Sequence, residues 1–232
     1  MQPTLIIDAD DTLWENEVYY QQCVDAFATL VTGLGFDAQQ ILQILDQVEA
    51  ERVLTTGYGP YAFIDNMIET YQRICAQAGQ PVDTDVPAQI RHFGQIVVKS
   101  PVHLLPGVAE TLPQLGRRFR LILLTKGDHD VQTDKLTRSG LAHLFDGVHV
   151  VHEKDESVFR ELLETYNLQP HQTWMIGNSP KSDINPALAV GIGAVHIPHT
   201  TTWVLEQEPL LDAERVTVLD HFGELLALFD AG

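Results

Sequence analysis

From about residue 107 onward, short apolar runs alternate with segments of helical periodicity. Runs of this length are too short for helices and are typical of buried strands. The predicted strands of this region are 121–124, 148–151, 173–176, 194–197 and 216–219, and an earlier one is 4–7. Because these strands are mainly apolar and are separated by helices, they indicate a parallel sheet covered by helices on both faces. We therefore predict an α/β fold with a Rossmann-like, doubly wound parallel sheet.

The stretch from about residue 16 to residue 100, which follows the first predicted strand, has a different character. Apolar residues recur there at helical spacing, and glycines and prolines separate four helical segments. This pattern predicts a small α-helical bundle inserted after the first strand, so that one domain interrupts the other. The predicted core is accordingly 1–13 with 101–232, and the predicted helical insertion is 14–100.

The charge balance excludes several classes of partner. The chain of 232 residues carries 32 Asp and Glu against 14 Lys and Arg, a net charge of −18. Such a chain offers no basic face and repels anionic lipids, so we expect neither nucleic-acid nor membrane binding. The N-terminus does not have the pattern of a signal peptide, and no run is long and apolar enough to span a bilayer, so we expect a cytoplasmic protein. No feature of the sequence specifies an oligomeric state.

Polar and charged residues follow four of the predicted strands. In an open parallel sheet, ligands bind beyond the carboxyl ends of the strands, so these residues are expected to share one site. They are Asp8, Asp10, Asp11 and Thr12 after the first strand, Thr125 and Lys126 after the second, Lys154 after the third, and Asn178 and Asp183 after the fourth. Carboxylates, a divalent metal, a hydroxyl and a lysine that holds phosphate oxygens are the components of a phosphoryl-transfer site.

These residues resemble, in the same order along the chain, the four motifs of the haloacid dehalogenase-like (HAD) hydrolase superfamily. The family's first motif, Asp-x-Asp-x-Thr after an apolar strand, matches residues 8–12. Its second motif, a Thr or Ser that closes a strand, matches Thr125, and its third, a Lys shortly before a helix, matches Lys154. Its fourth motif, which ends in an Asp before a helix, matches residues 177–183. The helical insertion resembles the C1-type cap of the phosphatase branch.

The resemblance implies a Mg²⁺-dependent phosphomonoester hydrolase that acts on a small phosphorylated metabolite beneath a closing cap. In such an enzyme Asp8 attacks phosphorus and forms an aspartyl-phosphate, while Asp10 protonates the leaving oxygen and then activates the hydrolytic water. The implied phosphate-binding residues are Thr12, Thr125, Lys126, through at least its backbone N–H, and Lys154. The implied metal ligands are Asp8, Asp10 through its backbone carbonyl, Asn178 and Asp183.

The sequence also predicts the local role of three individual residues. Asn178 stands where relatives usually have a metal-binding Asp, so Mg²⁺ binding is expected to be weaker, with Asp183 carrying more of the metal's stabilisation. Asp11 stands where relatives often have Gly, and we expect its carboxylate to face solvent. Asn185 followed by Pro186 is typical of an N-cap and the first residue of a short helix.

Four alternative functions use similar residues. A 2-haloacid dehalogenase shares this architecture but needs no acid at the position of Asp10, because halide leaves without a proton, so Asp10 favours the phosphatase. A phosphomutase stays open, since the same residues would serve if the cap retained an intermediate. A receiver-type signalling domain also clusters Asp, Thr and Lys, but this chain is too long for one. A catalytically weakened HAD protein that binds a ligand also stays open, with Asn178 as the altered residue.

Overall fold

The computed structural model describes residues 2–230, except for the side chain of Leu54. Within these residues, six parallel strands form one sheet. The strands are β1 (Thr4–Ile7), β2 (Arg120–Lys126), β3 (Gly147–Val151), β4 (Thr173–Gly177), β5 (Gly193–His196) and β6 (Val216–Val218). Their order across the sheet is β3-β2-β1-β4-β5-β6. The predicted α/β fold with a Rossmann-like, doubly wound parallel sheet is confirmed.

The direction in which strands are added to the sheet reverses between β1 and β4. β1 pairs with both of its neighbours, and Leu5 lies opposite Leu121 of β2 and Trp174 of β4. The pairing with β4 continues one residue beyond β1, because the N–H of Asp8 donates to the carbonyl of Ile176 at 2.9 Å. In doubly wound sheets such a reversal leaves a ligand-binding crevice at the carboxyl ends of the strands.

Alternate residues of β1 pack against helices on opposite faces of the sheet. The helices of this part of the chain are α5 (Val108–Leu115), α6 (His129–Ser139), α7 (Glu156–Thr165), α8 (Asn185–Ala189) and α9 (Leu225–Asp230). Leu5 and Ile7 belong to the apolar cluster that contains residues of α5 and α9, whereas Ile6 belongs to the cluster that contains residues of α7 and α8. Because successive strand residues point to opposite faces, burial on both faces requires an uninterrupted apolar strand.

The chain between β1 and α5 forms four helices with an apolar core of their own. They are α1 (Glu17–Gly33), α2 (Ala38–Thr56), α3 (Pro60–Gln77) and α4 (Val86–Val98). Each contributes to the core, for example through Phe27, Val48, Met67 and Ile90, which are fully buried. Their helical spacing places such residues on one face of each helix. Within residues 2–230, no helix combines the length and the apolar character needed to cross a membrane.

Backbone contacts divide the chain into two compact units. One comprises Met1–Glu17 with Val102–Gly232 and carries the sheet, and the other, Val18–Pro101, carries the four-helix core. Three residues at the ends of the predicted core, namely Met1, Ala231 and Gly232, lie outside the described residues. The role of the helical unit as a substrate cap stays a prediction.

The segment after β4 becomes helical earlier than the sequence predicts. A π-helical turn spans Pro180–Ile184 and runs directly into α8. Its N-cap is Ser179, whose side chain accepts a backbone hydrogen bond from within the turn. The predicted N-cap role of Asn185 is therefore wrong, because the backbone of Asn185 is already helical and its side chain donates to the carbonyl of Pro209 instead. Turns of this kind often occur at functional sites.

Candidate active site

A buried lysine joins the carboxylates that follow β1 and β4. The ammonium of Lys154 forms a hydrogen bond with Oδ1 of Asp8 and lies 2.7 Å from Oδ1 of Asp183. The side chains of Lys154, Asp8 and Asp183 are only 3%, 7% and 1% exposed. A buried carboxylate is strongly unfavourable unless a cation or hydrogen bonds compensate it. Lys154 therefore provides the compensation that two neighbouring carboxylates require.

One ammonium does not neutralise both carboxylates. Burial raises the pKa of Asp8 from 3.8 to about 7, because the attraction of Lys154 only partly opposes desolvation and Asp183 adds a second negative charge. Burial alone would lower the pKa of Lys154, but the two carboxylates outweigh it and raise that pKa above its usual range. Lys154 is therefore charged at neutral pH. The site holds more negative charge than its lysine offsets, and a further cation would favour the ionised form of Asp8.

Thr12 brings the end of β1 next to the residue that follows β4. Its Oγ1 donates to Oδ2 of Asp8 at 2.8 Å and lies 3.4 Å from Oδ1 of Asn178. Oxygen atoms of Asp8 and Asn178 thus converge on one buried hydroxyl. The backbone of Asn178 is also held, because Nε2 of His196 lies 3.0 Å from its carbonyl oxygen. Two oxygen ligands suited to a hard cation therefore lie within hydrogen-bonding distance of the same hydroxyl.

Gly177 allows Asp183 to lie against the end of β4. A Cβ atom on Gly177 would lie 2.2 Å from Oδ2 of Asp183, far inside van der Waals contact. The same Oδ2 accepts a hydrogen bond from the N–H of Ser179 at 3.0 Å, while Oδ1 faces Lys154. Position 177 must therefore be a glycine for the carboxylate of Asp183 to occupy this place.

The carboxylate of Asp10 is held by donors from three other side chains. Nε1 of Trp14 donates to Oδ1 at 2.7 Å, and Nε2 of Gln132 donates to Oδ2 at 2.9 Å. Nζ of Lys135 lies 2.9 Å from Oδ1 and 3.0 Å from Oδ2. Gln132 and Lys135 lie on α6, and neither was among the predicted site residues. Their spacing of three residues puts them on one face of the helix, but polar residues on a helix usually face water.

The two residues predicted at the end of β2 lie in different surroundings. Thr125 is buried, and its Oγ1 accepts a hydrogen bond from Nε2 of Gln132 at 3.1 Å. Gln132 therefore links Thr125 to Asp10. The ammonium of Lys126 lies 2.5 Å from Oε1 of Glu206 and 2.9 Å from Oγ of Ser182. The predicted contact between the backbone N–H of Lys126 and phosphate stays a prediction.

The structure thus brings the predicted residues together in two hydrogen-bonded groups. The first contains Asp8, Thr12, Lys154, Asn178 and Asp183. The second contains Asp10, Thr125 and the backbone carbonyl of Lys126, which are joined through Gln132, a residue without a predicted role. The catalytic, phosphate-binding and metal-binding roles assigned to these residues stay predictions.

Comparison with known proteins identifies the family. The model of the haloacid dehalogenase-like hydrolase family matches residues 3–191, which include every predicted site residue. The chain belongs to the haloacid dehalogenase-like hydrolases. A solved haloacid dehalogenase-like family hydrolase from Xanthomonas campestris is 29% identical and superposes with a TM-score of 0.85, over 99% of this chain and 91% of that one.

Two curated relatives of this HAD-like hydrolase are named as phosphatases. The phosphoserine phosphatase of Thermus thermophilus is 33% identical over 100 residues, which cover 40% of this chain and 40% of that enzyme. This chain therefore spans about two fifths of the Thermus enzyme. The glyceraldehyde 3-phosphate phosphatase of Methanothermobacter thermautotrophicus is 29% identical over 233 residues, which cover 97% of this chain and 98% of that enzyme.

Asp11 of this HAD-like hydrolase is buried, so the expectation that its carboxylate faces solvent is wrong. Its φ of 59° lies in the left-handed region, which favours Gly and which Asp also tolerates. Oδ1 accepts a hydrogen bond from the N–H of Asn16 at 2.8 Å, and Oδ2 accepts one from the N–H of Glu17 at 3.1 Å. Burial raises the pKa of Asp11 to about 6, although these amides oppose the shift. The carboxylate thus binds backbone groups at the start of α1.

The residues of the site suit a Mg²⁺ ion held by few protein ligands. Within residues 2–230, no three His, Cys, Asp or Glu side chains are grouped as metal ligands. The family resemblance implies that Asp8, Asn178 and the backbone carbonyl of Asp10 would hold the ion, and such a small set is compatible with Mg²⁺, which commonly keeps several waters beside one or two carboxylates. Both oxygens of Asp183 already accept hydrogen bonds, one of them from Lys154. Its predicted role in metal binding therefore fits contact through a water molecule better than direct coordination.

Proposed function

We propose that this hydrolase removes the phosphate group from a small phosphorylated metabolite, with Mg²⁺ as cofactor and Asp8 as nucleophile. The observation that carries the proposal is the pair of held carboxylates in the loop after β1. Lys154 and Thr12 orient Asp8, and Asp10, two residues later, has a separate set of donors. A dehalogenase has no use for the second carboxyl group, because halide needs no proton to leave, whereas an alkoxide does.

In the first step, a carboxylate oxygen of Asp8 attacks phosphorus, and the bond between phosphorus and the ester oxygen breaks. The protonated carboxyl group of Asp10 gives its proton to the departing oxygen, so that the product leaves as an alcohol. Lys154 keeps Asp8 oriented and supports its ionised form. The hydroxyl of Thr125 and the backbone N–H of Lys126 bind phosphoryl oxygens.

In the second step, a water molecule attacks the phosphorus of the aspartyl-phosphate. Asp10, now a carboxylate, accepts a proton from this water, and the bond between phosphorus and the Asp8 oxygen breaks. Inorganic phosphate leaves, Asp8 returns to its free form, and Asp10 is again protonated for the next cycle. Asp8, Asn178 and the backbone carbonyl of Asp10 would hold a Mg²⁺ ion, which when bound would supply positive charge that offsets the phosphoryl oxygens.

The names of the two curated relatives support this class of substrate. One relative acts by name on phosphoserine and the other on glyceraldehyde 3-phosphate, and both compounds are small phosphate monoesters. The strongly acidic chain fits such a substrate only where lysines and a metal make the site locally positive. A cytoplasmic location and the absence of nucleic-acid and membrane partners stay predictions.

Phosphate release from p-nitrophenyl phosphate and a panel of phosphorylated metabolites tests the proposal. We expect release with Mg²⁺, none with EDTA, and none from the Asp8→Asn variant. Asp134→Asn makes the same chemical change at an exposed residue of α6 and is expected to keep the activity. If the wild-type chain released no phosphate from any compound, the proposal would fail. Chloride release from 2-chloropropionate would then assign a dehalogenase instead.

A further inference from the structure

The buried face of α6 carries two polar side chains. Gln132, Lys135 and Leu136 are the buried residues of this helix, and the first two are each 5% exposed. Packing selects apolar side chains for the inward face of a helix, and burial of an ammonium or an amide is unfavourable unless its hydrogen bonds are satisfied. Two buried polar residues on one face therefore indicate a role other than packing.

The ammonium of Lys135 has one acceptor for each of its three donors. Nζ lies 2.9 Å and 3.0 Å from the two carboxylate oxygens of Asp10 and 2.7 Å from Oδ1 of Asn16. The side chain of Lys135 is 7% exposed and that of Asp10 is 23% exposed, so solvent screens this ion pair less than a surface pair. Lys135 thereby fixes the carboxylate of Asp10 relative to α6.

The amide nitrogen of Gln132 has three acceptors around it. Nε2 lies 2.9 Å from Oδ2 of Asp10, 3.1 Å from Oγ1 of Thr125 and 2.6 Å from the carbonyl oxygen of Lys126. Oε1 of Gln132 is buried and has no hydrogen-bond partner among the described residues. The acceptors around Nε2 therefore determine which way the amide points, and Gln132 ties Asp10 to Thr125 at the end of β2.

We propose that Lys135 and Gln132 are positioning residues for Asp10, an inference that rests on the proposed function. An Asp side chain rotates about two bonds, and proton transfer requires its oxygen to stay within hydrogen-bonding reach of the leaving oxygen. Lys135 and Gln132 together bind both oxygens of Asp10 and so restrict both rotations. Gln132 also keeps the proton donor in a fixed relation to the hydroxyl of Thr125, which is assigned to phosphate binding.

A comparison of leaving groups tests this role. Phenyl phosphate releases a strongly basic phenolate that needs a proton, whereas 2,4-dinitrophenyl phosphate releases a weakly basic one that does not. The full-length protein with Mg²⁺ is mixed rapidly with each ester, and the rate of the first, phenol-releasing phase is measured. The variants are Lys135→Met and Gln132→Met. Gln132→Met removes a donor without removing a charge, so it still tests the proposal if Lys135→Met does not fold.

We expect both variants to release phenol from phenyl phosphate at least about 10-fold more slowly than wild type, with less than about a 3-fold change on 2,4-dinitrophenyl phosphate. Lys135→Arg keeps the positive charge and is expected to be faster on phenyl phosphate than Lys135→Met. The control is Arg138→Met, which removes a positive charge from an exposed residue of the same helix and is expected to slow neither ester.

Two other results would overturn the inference in distinguishable ways. If wild type is active and the α6 variants slow both esters equally, or slow neither, Lys135 and Gln132 do not position a proton donor, and the proposed function stands without them. If wild type releases no phosphate from these esters or from any metabolite of the panel, the proposed function itself fails and the positioning role fails with it.

Discussion

Lys154 and Asp183 form a buried ion pair, with 2.7 Å between Nζ and Oδ1. Lys154 lies between β3 and α7, and Asp183 lies in the π-helical turn after β4, so the pair joins two loops at the same edge of the sheet. The same ammonium also binds Asp8. The orientation of Asp8, the proposed nucleophile, therefore depends on Lys154, which is itself held by Asp183, 29 residues further along the chain.

Lys154→Met is expected to abolish turnover and to lower the stability of the fold. Loss of the cation leaves two buried carboxylates uncompensated, and removal of one partner from a buried ion pair lowers the free energy of unfolding by roughly 3–5 kcal/mol. Urea denaturation measures this change. Lys99→Met, the same change at an exposed residue, is expected to stay within about 0.5 kcal/mol of wild type. Equal stability of the two variants would contradict the compensating role of Lys154.

Asn178→Asp is expected to tighten Mg²⁺ binding by roughly tenfold, because the site gains a carboxylate ligand in place of an amide oxygen. Isothermal titration calorimetry on the wild type and the variant measures the affinity directly. Asn167→Asp adds the same charge at an exposed residue between α7 and β4 and is expected to leave the affinity unchanged. An unchanged or weaker affinity in Asn178→Asp would remove Asn178 from the set of metal ligands.

Gly177→Ala is expected to lower the free energy of unfolding by about 1–3 kcal/mol, because the Cβ of the new alanine would collide with Asp183. The closest atom, Oδ2 of Asp183, would lie only 2.2 Å away, whereas a Cβ on Gly33 at the end of α1 would meet nothing within 4 Å. Gly33→Ala is therefore the matched control, with a neutral or slightly stabilising effect. Thermal unfolding of both variants gives the comparison, and a neutral Gly177→Ala would mean that Asp183 can move away.

Asp8 is expected to make the stability of the metal-free protein depend on pH. Its pKa rises from 3.8 to about 7 on folding because of burial, so between these values the folded protein holds a proton that the unfolded chain has released. A rise in pH then lowers the free energy of unfolding. In EDTA, the stability of wild type relative to Asp8→Asn should fall between about pH 5 and pH 7. A difference that stays constant or grows would show that Asp8 is ionised throughout.

Much of the fold could be predicted because the sheet buries both of its faces. Runs such as 4–7 and 121–124 must then be apolar throughout, and this pattern separates them from the helices around them. The convergence of Asp8, Lys154 and Asp183 could be predicted for a related reason. Parallel strands end at one edge of the sheet, so residues distant in sequence meet there.

The remaining features depend on contacts that no local pattern encodes. The polar sequence of α6 is typical of a helix that faces water. Its Lys135 and Gln132 are nevertheless buried, and they contact the loop after β1 and, in the case of Gln132, the end of β2 as well. Asp11 could be identified as buried only from its left-handed backbone and its hydrogen bonds to the start of α1. Asn185 fails as an N-cap because the helical turn begins at Pro180, where Ser179 already caps it.

Detection of a phosphoryl group on Asp8 tests the central claim most directly. The wild-type protein is mixed with Mg²⁺ and a substrate found in the phosphate-release panel, quenched in acid within one turnover, digested and analysed by mass spectrometry. We predict that one phosphoryl group appears on the peptide that carries residues 5–13, on Asp8, and that it is absent from Asp8→Asn. Phosphate release without any phosphorylated form of Asp8, or a phosphoryl group on another residue, would contradict the account.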